Sequence, residues 1–242
     1  MSEAVIAGVG MTPFGKFLNR SLKSLSEEAV KEALADANVQ PGQTVCVFFA
    51  NAAAGVVTGQ EMIRAQSSLR NTGLAGKPMF NIENACASSS SAFNLARAAV
   101  ASGQYECVLV VGSEKLSHED KKVSFGAFAR AGDIEEDLGA HIGTGTGSVF
   151  MDIYAAKTRK WMQTAGVEKE DFARVCVKSR LAGSLNPKAQ FRATTTLEEV
   201  LSSRMVSDPL TLFMCSSIGD GAAAIVVCSE AYARKLGVKP VH

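Results

Sequence analysis

The 242-residue sequence is short of several things that whole classes of function require. It has three histidines, His118, His141 and His242, too scattered to form a metal-ligand set, so no metal site is expected. None of its six cysteines stands two residues from another, so it encodes neither a zinc knuckle nor a paired redox dithiol. Its 25 Lys and Arg nearly cancel its 24 Asp and Glu, and no basic run occurs, which excludes a nucleic-acid binder held by phosphate contacts. No apolar stretch approaches roughly 20 residues, so no membrane span is expected. The opening Met1-Ser2-Glu3-Ala4-Val5 lacks a basic region followed by an apolar one, so no secretory signal is read. No Ser-Lys-Leu ending supports peroxisomal import, and the expected location is the cytoplasm, a reducing compartment. Hydrophobic residues at 47% indicate one large globular domain, or one domain carrying an elaborate insertion.

The hydrophobic pattern alternates. Ala4–Gly10 reads as a short buried strand. Leu22, Leu25, Ala29, Ala33 and Ala37 fall on one stripe of a helix running to about Asn38. A strand follows at Val45–Ala50, a helix at Gln60–Arg70 and a strand at Pro78–Ile82. Cys86–Ser102 predicts a helix stopped by Gly103, and Cys107–Val111 is the most apolar strand. Strand–helix alternation of this kind builds a mostly parallel α/β sheet with helices on both faces. The alternation then breaks over about 113–216, a long insertion with helices at about Asp152–Thr164 and Glu168–Leu181. It resumes with the strand Gly221–Cys228 and a helix that Ser229 caps and Gly237 ends. Five strands are expected in all. Lys115–Lys122 reads as a solvated loop, Trp161 as core or interface, and Asp220 as a residue that fixes a turn. Gly143, Gly145 and Gly147 lack the strand and acidic residue of a dinucleotide site and read as a loop.

Five of the cysteines sit among apolar residues. Cys46, Cys107 and Cys228 lie in strands, Cys176 in a helical stretch, and Cys215 after Leu212-Phe213-Met214. Cys86 alone is set among small polar residues, Asn84-Ala85-Cys86-Ala87-Ser88-Ser89-Ser90-Ser91, at a predicted strand–turn–helix junction. A thiol on the first turn of a helix meets unpaired N–H groups and the positive end of the dipole, which favour thiolate over thiol. The carboxyl ends of strands are also where open α/β sheets place ligands. Cys86 therefore reads as a nucleophile for acyl transfer, and otherwise as a small packing residue at the junction.

Several ordered segments carry a resemblance. Asn81-Ile82-Glu83-Asn84-Ala85-Cys86-Ala87-Ser88-Ser89-Ser90 resembles the nucleophile segment of thiolases. Ile6-Ala7-Gly8-Val9-Gly10-Met11-Thr12-Pro13-Phe14-Gly15, Asn186-Pro187-Lys188-Ala189-Gln190-Phe191 and Ser203-Arg204-Met205-Val206-Ser207-Asp208-Pro209-Leu210-Thr211 resemble the sterol-carrier-protein branch of that family. Ser216-Ser217-Ile218-Gly219-Asp220-Gly221-Ala222-Ala223-Ala224 is similar to the segment that ends a thiolase N-terminal half.

The resemblance implies the N-terminal half of a thiolase over residues 1–242, with a loop domain at about 113–216 and the C-terminal thiolase domain absent. It implies an acyltransferase that exchanges an acyl group between coenzyme A and Cys86, with the backbone N–H of Cys86 in an oxyanion hole. Coenzyme A is then a substrate, and no bound cofactor is expected. By the same resemblance Ser216 matches a position near the pantetheine arm, and Phe150 and Met151 are expected to border the acyl pocket. The family's Gly-His-Pro histidine and its second cysteine, near a Cys-x-Gly motif, have no counterpart here, so this chain alone is expected to be inactive or incomplete as a thiolase, cleaving 3-oxoacyl-CoA poorly or not at all. Two other readings stay open: a condensing enzyme or carbon–carbon lyase of the same superfamily, and a non-catalytic coenzyme A-binding or assembly subunit. The expected partners are acyl-CoA and CoA, a second copy of the chain, and a chain supplying the C-terminal half or a small zinc-ribbon and OB-fold protein that binds acyl-CoA.

Overall fold

The computed structural model describes residues 3–133, 135 and 149–242. The first strand, β1 (Ala4–Met11), leads into α1 (Leu22–Asp36), whose start is capped by Ser21 accepting the Ser24 N–H. Then come β2 (Cys46–Ala50), the short helices α2 (Ala54–Thr58) and α3 (Arg64–Leu69), and β3 (Met79–Ile82). A single 3-10 turn at Ala85–Ala87 precedes α4 (Ser88–Ala101), and β4 (Cys107–Glu114) follows. After the insertion, β7 (Gly221–Ser229) and α9 (Glu230–Leu236) complete this part.

The sheet order is β1-β7-β4-β2-β3. β4, β2 and β3 pair in parallel, and β7 runs antiparallel to both β1 and β4. Four strands thus point one way, and the strand that returns from the insertion is threaded between them in reverse. Alternate strand residues serve two cores. Val47, Phe49, Leu109, Val111, Ala224 and Val226 face α1, α3 and α9. Phe48, Ala50, Val108 and Val110 face Ala92, Ala96, Ala99 and Val100 of α4. The α1 stripe is made of small residues so that the helix can lie directly on β1. A Cβ at Gly10 would stand 2.3 Å from the Ala29 carbonyl oxygen and 2.4 Å from the Ala33 nitrogen. The outer edge of β1 is blocked by the same helix, because Asp36 and Glu32 accept the Val9 and Met11 N–H groups at 2.8 Å.

The chain divides into two units, Met1–Glu119 with Gly219–His242, and Asp120–Ile218. β4 continues past Val111 to pair Glu114 with Gly221. The helix read at Gln60–Arg70 begins only at Arg64, because Ile63 adopts a left-handed conformation with φ 45° that a right-handed helix cannot include.

The second unit contains α5 (Lys121–Ala129), α6 (Val149–Ala165), α7 (Lys169–Ser184), α8 (Leu197–Ser202) and the small hairpin β5 (Met205–Ser207) and β6 (Leu210–Thr211). The Arg180 guanidinium lies over the Phe191 ring at 4.2 Å and near that of Phe213 at 5.2 Å, so the segment after Asn186-Pro187 folds back on α7. Cys176 donates to the Phe213 carbonyl, and the Thr211 hydroxyl ties the hairpin to Val200. Trp161 is not core: it is half-exposed and meets Phe172 edge-on, since its stripe on α6 is only partly covered in this unit.

Candidate active site

The turn carrying Cys86 begins where the β2–β3 ladder ends. Asn51, just past β2, donates its N–H to the carbonyl of Ile82, the last residue of β3. Three residues later the chain must reverse into α4. It does so through Ala85, whose φ of 44° lies in the left-handed region and costs an alanine about 1 kcal/mol. Local hydrogen bonds hold that conformation. Glu83 accepts the Ala85 N–H at 2.6 Å, the Asn84 N–H donates to the Ser88 hydroxyl at 2.8 Å, and that hydroxyl donates to the Ala85 carbonyl at 2.7 Å. The Asn84 amide also donates to Ser91 on the next turn of the helix. The serine-rich run thus works on the turn that precedes the helix.

Cys86 is exposed at the crest of this turn. The predicted helix Cys86–Ser102 is corrected in one respect: Cys86 occupies the 3-10 turn before α4, because Ala87 (φ −96°, ψ 6°) departs from α geometry. The free N–H groups of a helix start, with the positive end of its dipole, lie toward the turn and suit an oxyanion more than a cation. The helix start sits tight on the sheet: a Cβ at Gly112 of β4 would stand 2.4 Å from the Ser89 hydroxyl oxygen.

Beside the turn, the carboxyl end of β2 is fixed by Glu114. Its two oxygens accept the N–H groups of Ala52, Ala53 and Ala54 and the side-chain amide of Asn51, all within 3.1 Å. Sequence reasoning missed this carboxylate. Its one signal was an acid ending the most apolar strand.

The other cysteines differ in setting. Cys46, Cys107 and Cys228 are buried in the sheet. Burial pushes the Cys107 thiol up to about 12, with Cys228 across the strand pair and Glu106 adding to it. Burial likewise raises Cys228 to about 11, Glu106 adding and an Ala233 backbone hydrogen bond opposing. Cys46 is raised by burial against hydrogen bonds from Tyr105 and Val47, and Cys215 by burial against the nearby Arg204 charge. Cys176 is half-buried and bonded to a carbonyl.

Of the residues expected to contact acyl-CoA, Cys86 belongs to the first unit, while Ser216, Phe150 and Met151 belong to the second. Ser216 is exposed, whereas Phe150 and Met151 are half-buried on the first turn of α6, with Phe150 edge-on to Phe128 at 6.2 Å. His118 is half-buried in the loop after β4, and the His242 ring lies 3.1 Å from Glu3. His141 and the Gly143–Gly147 run lie outside the described residues. Among the described residues no three His, Cys, Asp or Glu side chains group to hold a metal ion, and no helix is long and apolar enough to cross a membrane.

A family model described as the thiolase N-terminal domain matches residues 4–231. The benzoylsuccinyl-CoA thiolase subunit BbsB of Thauera aromatica is 37% identical over 98% of this chain and 58% of its own length. An acetyl-CoA acetyltransferase of Methanothermobacter thermautotrophicus is 34% identical over 100% of this chain and 61% of its own. Human sterol carrier protein 2 is 33% identical over 99% of this chain and 44% of its own. The chain therefore spans about half the length of the curated relatives it matches. Among solved structures, the Ltp2-ChsH2(DUF35) aldolase aligns with a TM-score of 0.74 at 29% identity, covering 96% of this chain and 57% of that one. An acetyl-CoA acetyltransferase from Syntrophomonas wolfei, at 18% identity and a TM-score of 0.68, shares the fold. With the family model spanning nearly every described element from β1 into α9, the chain belongs to the thiolase family.

Proposed function

We propose that this chain is the nucleophile-bearing half of an acyl-CoA acyltransferase, with Cys86 as the acyl-accepting thiol. One observation carries the reading: Cys86 alone among the six cysteines is exposed, and it stands on a strained strand-to-helix turn held by Glu83, Asn84 and Ser88. In the reaction the Cys86 sulfur attacks the thioester carbonyl of acyl-CoA. The bond between that carbonyl and the coenzyme A sulfur breaks, CoA leaves as the thiol with the proton Cys86 gave up, and the acyl group stays on Cys86. Backbone N–H groups at the turn and the start of α4 stabilise the tetrahedral oxyanion. By the resemblance alone, Ser216 is assigned to the pantetheine arm and Phe150 and Met151 to the acyl chain. Coenzyme A is a substrate, and no resident cofactor is assigned.

Making or breaking a carbon–carbon bond needs a further acid–base group to move the proton of the carbon nucleophile. We assign that group to a thiolase C-terminal half, and we place the chain in a homo-oligomer in a reducing compartment. The aldolase named among the structural relatives favours a second reading, a carbon–carbon lyase assembled with a small acyl-CoA-binding partner. The two are separated by the product formed when CoA is withheld: the lyase releases a carbonyl fragment, and the acyltransferase stalls as acyl-Cys86. The acyl-transfer reading is tested by CoA release from acyl-CoA. Release of one equivalent per chain is expected for the wild type and none for Cys86→Ala, and equal release from both would overturn it.

A further inference from the structure

Two of the buried cysteines face each other across a strand pair. Cys107 opens β4, Cys228 lies next to the end of β7, and the antiparallel register sets them directly opposite. The hydrogen-bond pattern fixes which kind of pair they make. The Ser229 N–H donates to the Glu106 carbonyl, so the neighbouring pair carries the ladder bond, while the Cys107 carbonyl accepts from Val45 on the side of β2. Cys107 and Cys228 are therefore a non-hydrogen-bonded pair, the kind in which antiparallel strands come closest, with Cα atoms about 4.5 Å apart. A disulfide needs Cα separations of about 4.4–6.8 Å and Cβ separations of about 3.5–4.5 Å, and such a pair holds its Cβ atoms at about 4.5 Å. Both side chains enter the core shared with α1 and α9. Cys46, the remaining strand cysteine, has Val108 opposite it and faces the α4 core.

The pair is covered. Cys107 and Cys228 are 1% and 0% exposed. The Ala233 N–H of α9 bonds Cys228, and Tyr232 packs against the same core. α9 is seven residues long, and its ion pairs, Arg234–Glu230 at 3.2 Å and Lys235–Glu106 at 3.6 Å, lie at the surface and hold the cover only weakly. Burial foremost raises both thiols, so they react slowly until α9 opens. We propose that Cys107 and Cys228 form an oxidation site: a small hydroperoxide that reaches them when α9 opens converts the two thiols into one disulfide that braces β4 on β7. The first sulfur attacks the peroxide, the O–O bond breaks, and a sulfenic acid forms as the alcohol, or water from hydrogen peroxide, leaves with the thiol's proton. The second sulfur then attacks the first, the S–O bond breaks, and water leaves with the second proton. Two thiols are oxidised by two electrons and one hydroperoxide is reduced. The bond closes a loop of about 120 residues, which constrains the unfolded chain strongly. This site lies wholly within the first unit and does not rest on the role of Cys86.

The test treats the chain with hydrogen peroxide, denatures it, blocks free thiols with N-ethylmaleimide and maps the peptides by tandem mass spectrometry. Wild type, Cys107→Ala, Cys215→Ala and Tyr232→Ala are compared. The wild type should give a Cys107–Cys228 linked peptide two hydrogens lighter than its parts, and should melt roughly 5–15 °C above the reduced chain. Link and shift should be absent from Cys107→Ala and present in Cys215→Ala, and dithiothreitol should reverse both. The link should form about tenfold faster in Tyr232→Ala, which thins the cover. Cys107 and Cys228 recovered as free thiols once Cys86 is fully oxidised would overturn the proposal. So would a link from either to another cysteine, or one that forms only in urea above the unfolding transition. A Cys107–Cys228 link with no rise in melting temperature would overturn its bracing of the sheet.

Discussion

Gly112 offers a graded perturbation of the candidate site in which no site residue is substituted. It lies on the α4 face of β4, where an added Cβ would come 2.4 Å from the Ser89 hydroxyl oxygen and 3.4 Å from the Ser89 Cβ. Ordinary contacts begin near about 3.5 Å, so the deficit is about 1 Å and falls on an oxygen that a serine rotamer change can remove. Gly112→Ala should therefore cost about 1 kcal/mol and leave acylation within about threefold. Gly112→Val adds two methyl groups that no serine rotation clears. It should push the start of α4 off the sheet by about 1 Å, cost about 2–3 kcal/mol and lower the melting temperature by roughly 4–12 °C. A shift of that size beside a nucleophile costs about a hundredfold in rate. Intact-mass time courses with acetyl-CoA give the acylation rate, and thermal unfolding followed by circular dichroism gives the stability. A valine variant that acylates within twofold of wild type would refute the claim that the tight seat of α4 on β4 places Cys86. So would an alanine variant as slow as the valine one.

Gly10→Ala forces the Ala29 carbonyl and Ala33 amide of α1 away from β1, because a Cβ there would stand 2.3 Å and 2.4 Å from them. Destabilisation of about 3 kcal/mol in urea unfolding is expected, and a cost under about 0.5 kcal/mol would contradict the direct contact. Ser88→Ala removes the hydroxyl that both accepts from Asn84 and donates to Ala85, so it should cost about 1–2 kcal/mol and slow acylation of Cys86 about tenfold, with unchanged rates as the adverse result. On pH, burial alone would raise the Asp220 carboxyl, but hydrogen bonds from Lys115, Ser117, Phe17 and Leu116 outweigh it and hold it below its ordinary value of 3.8. A backbone hydrogen bond foremost lowers Asp171 and Glu199 as well. Groups held low in the folded state contribute stability above their unfolded values, and that contribution is lost as pH falls through the folded ones. Stability from Asp220 should thus be level above about pH 5 and decline below pH 3.8, and Asp220→Asn should flatten the decline. An acid-unfolding midpoint identical in that variant would contradict the assignment.

The apolar strands were legible because runs such as Cys107–Val111 and Gly221–Cys228 fit only a sheet covered on both faces. The reversed direction of β7 was not, since a buried strand reads alike from either end. The helices α2, α5 and α8 escaped notice because each is nine residues or fewer, too short to show a helical period, and the N–H groups at the start of α2 are held by the distant Glu114. Cys86 stood out by the polarity of its neighbours. The left-handed Ala85 that presents it had no signal, because alanine has no preference for that conformation and only the Glu83 and Ser88 contacts hold it there. Lys115 looked solvated because its partner lies 105 residues away.

The central assignment is tested most directly by incubating the chain with acetyl-CoA, digesting it at low pH and locating the acetyl group by peptide mass spectrometry. The account predicts one thioester on the peptide containing Cys86 and none on Cys46, Cys107, Cys176, Cys215 or Cys228. An acetyl group found on one of those five, with Cys86 unmodified, would contradict it.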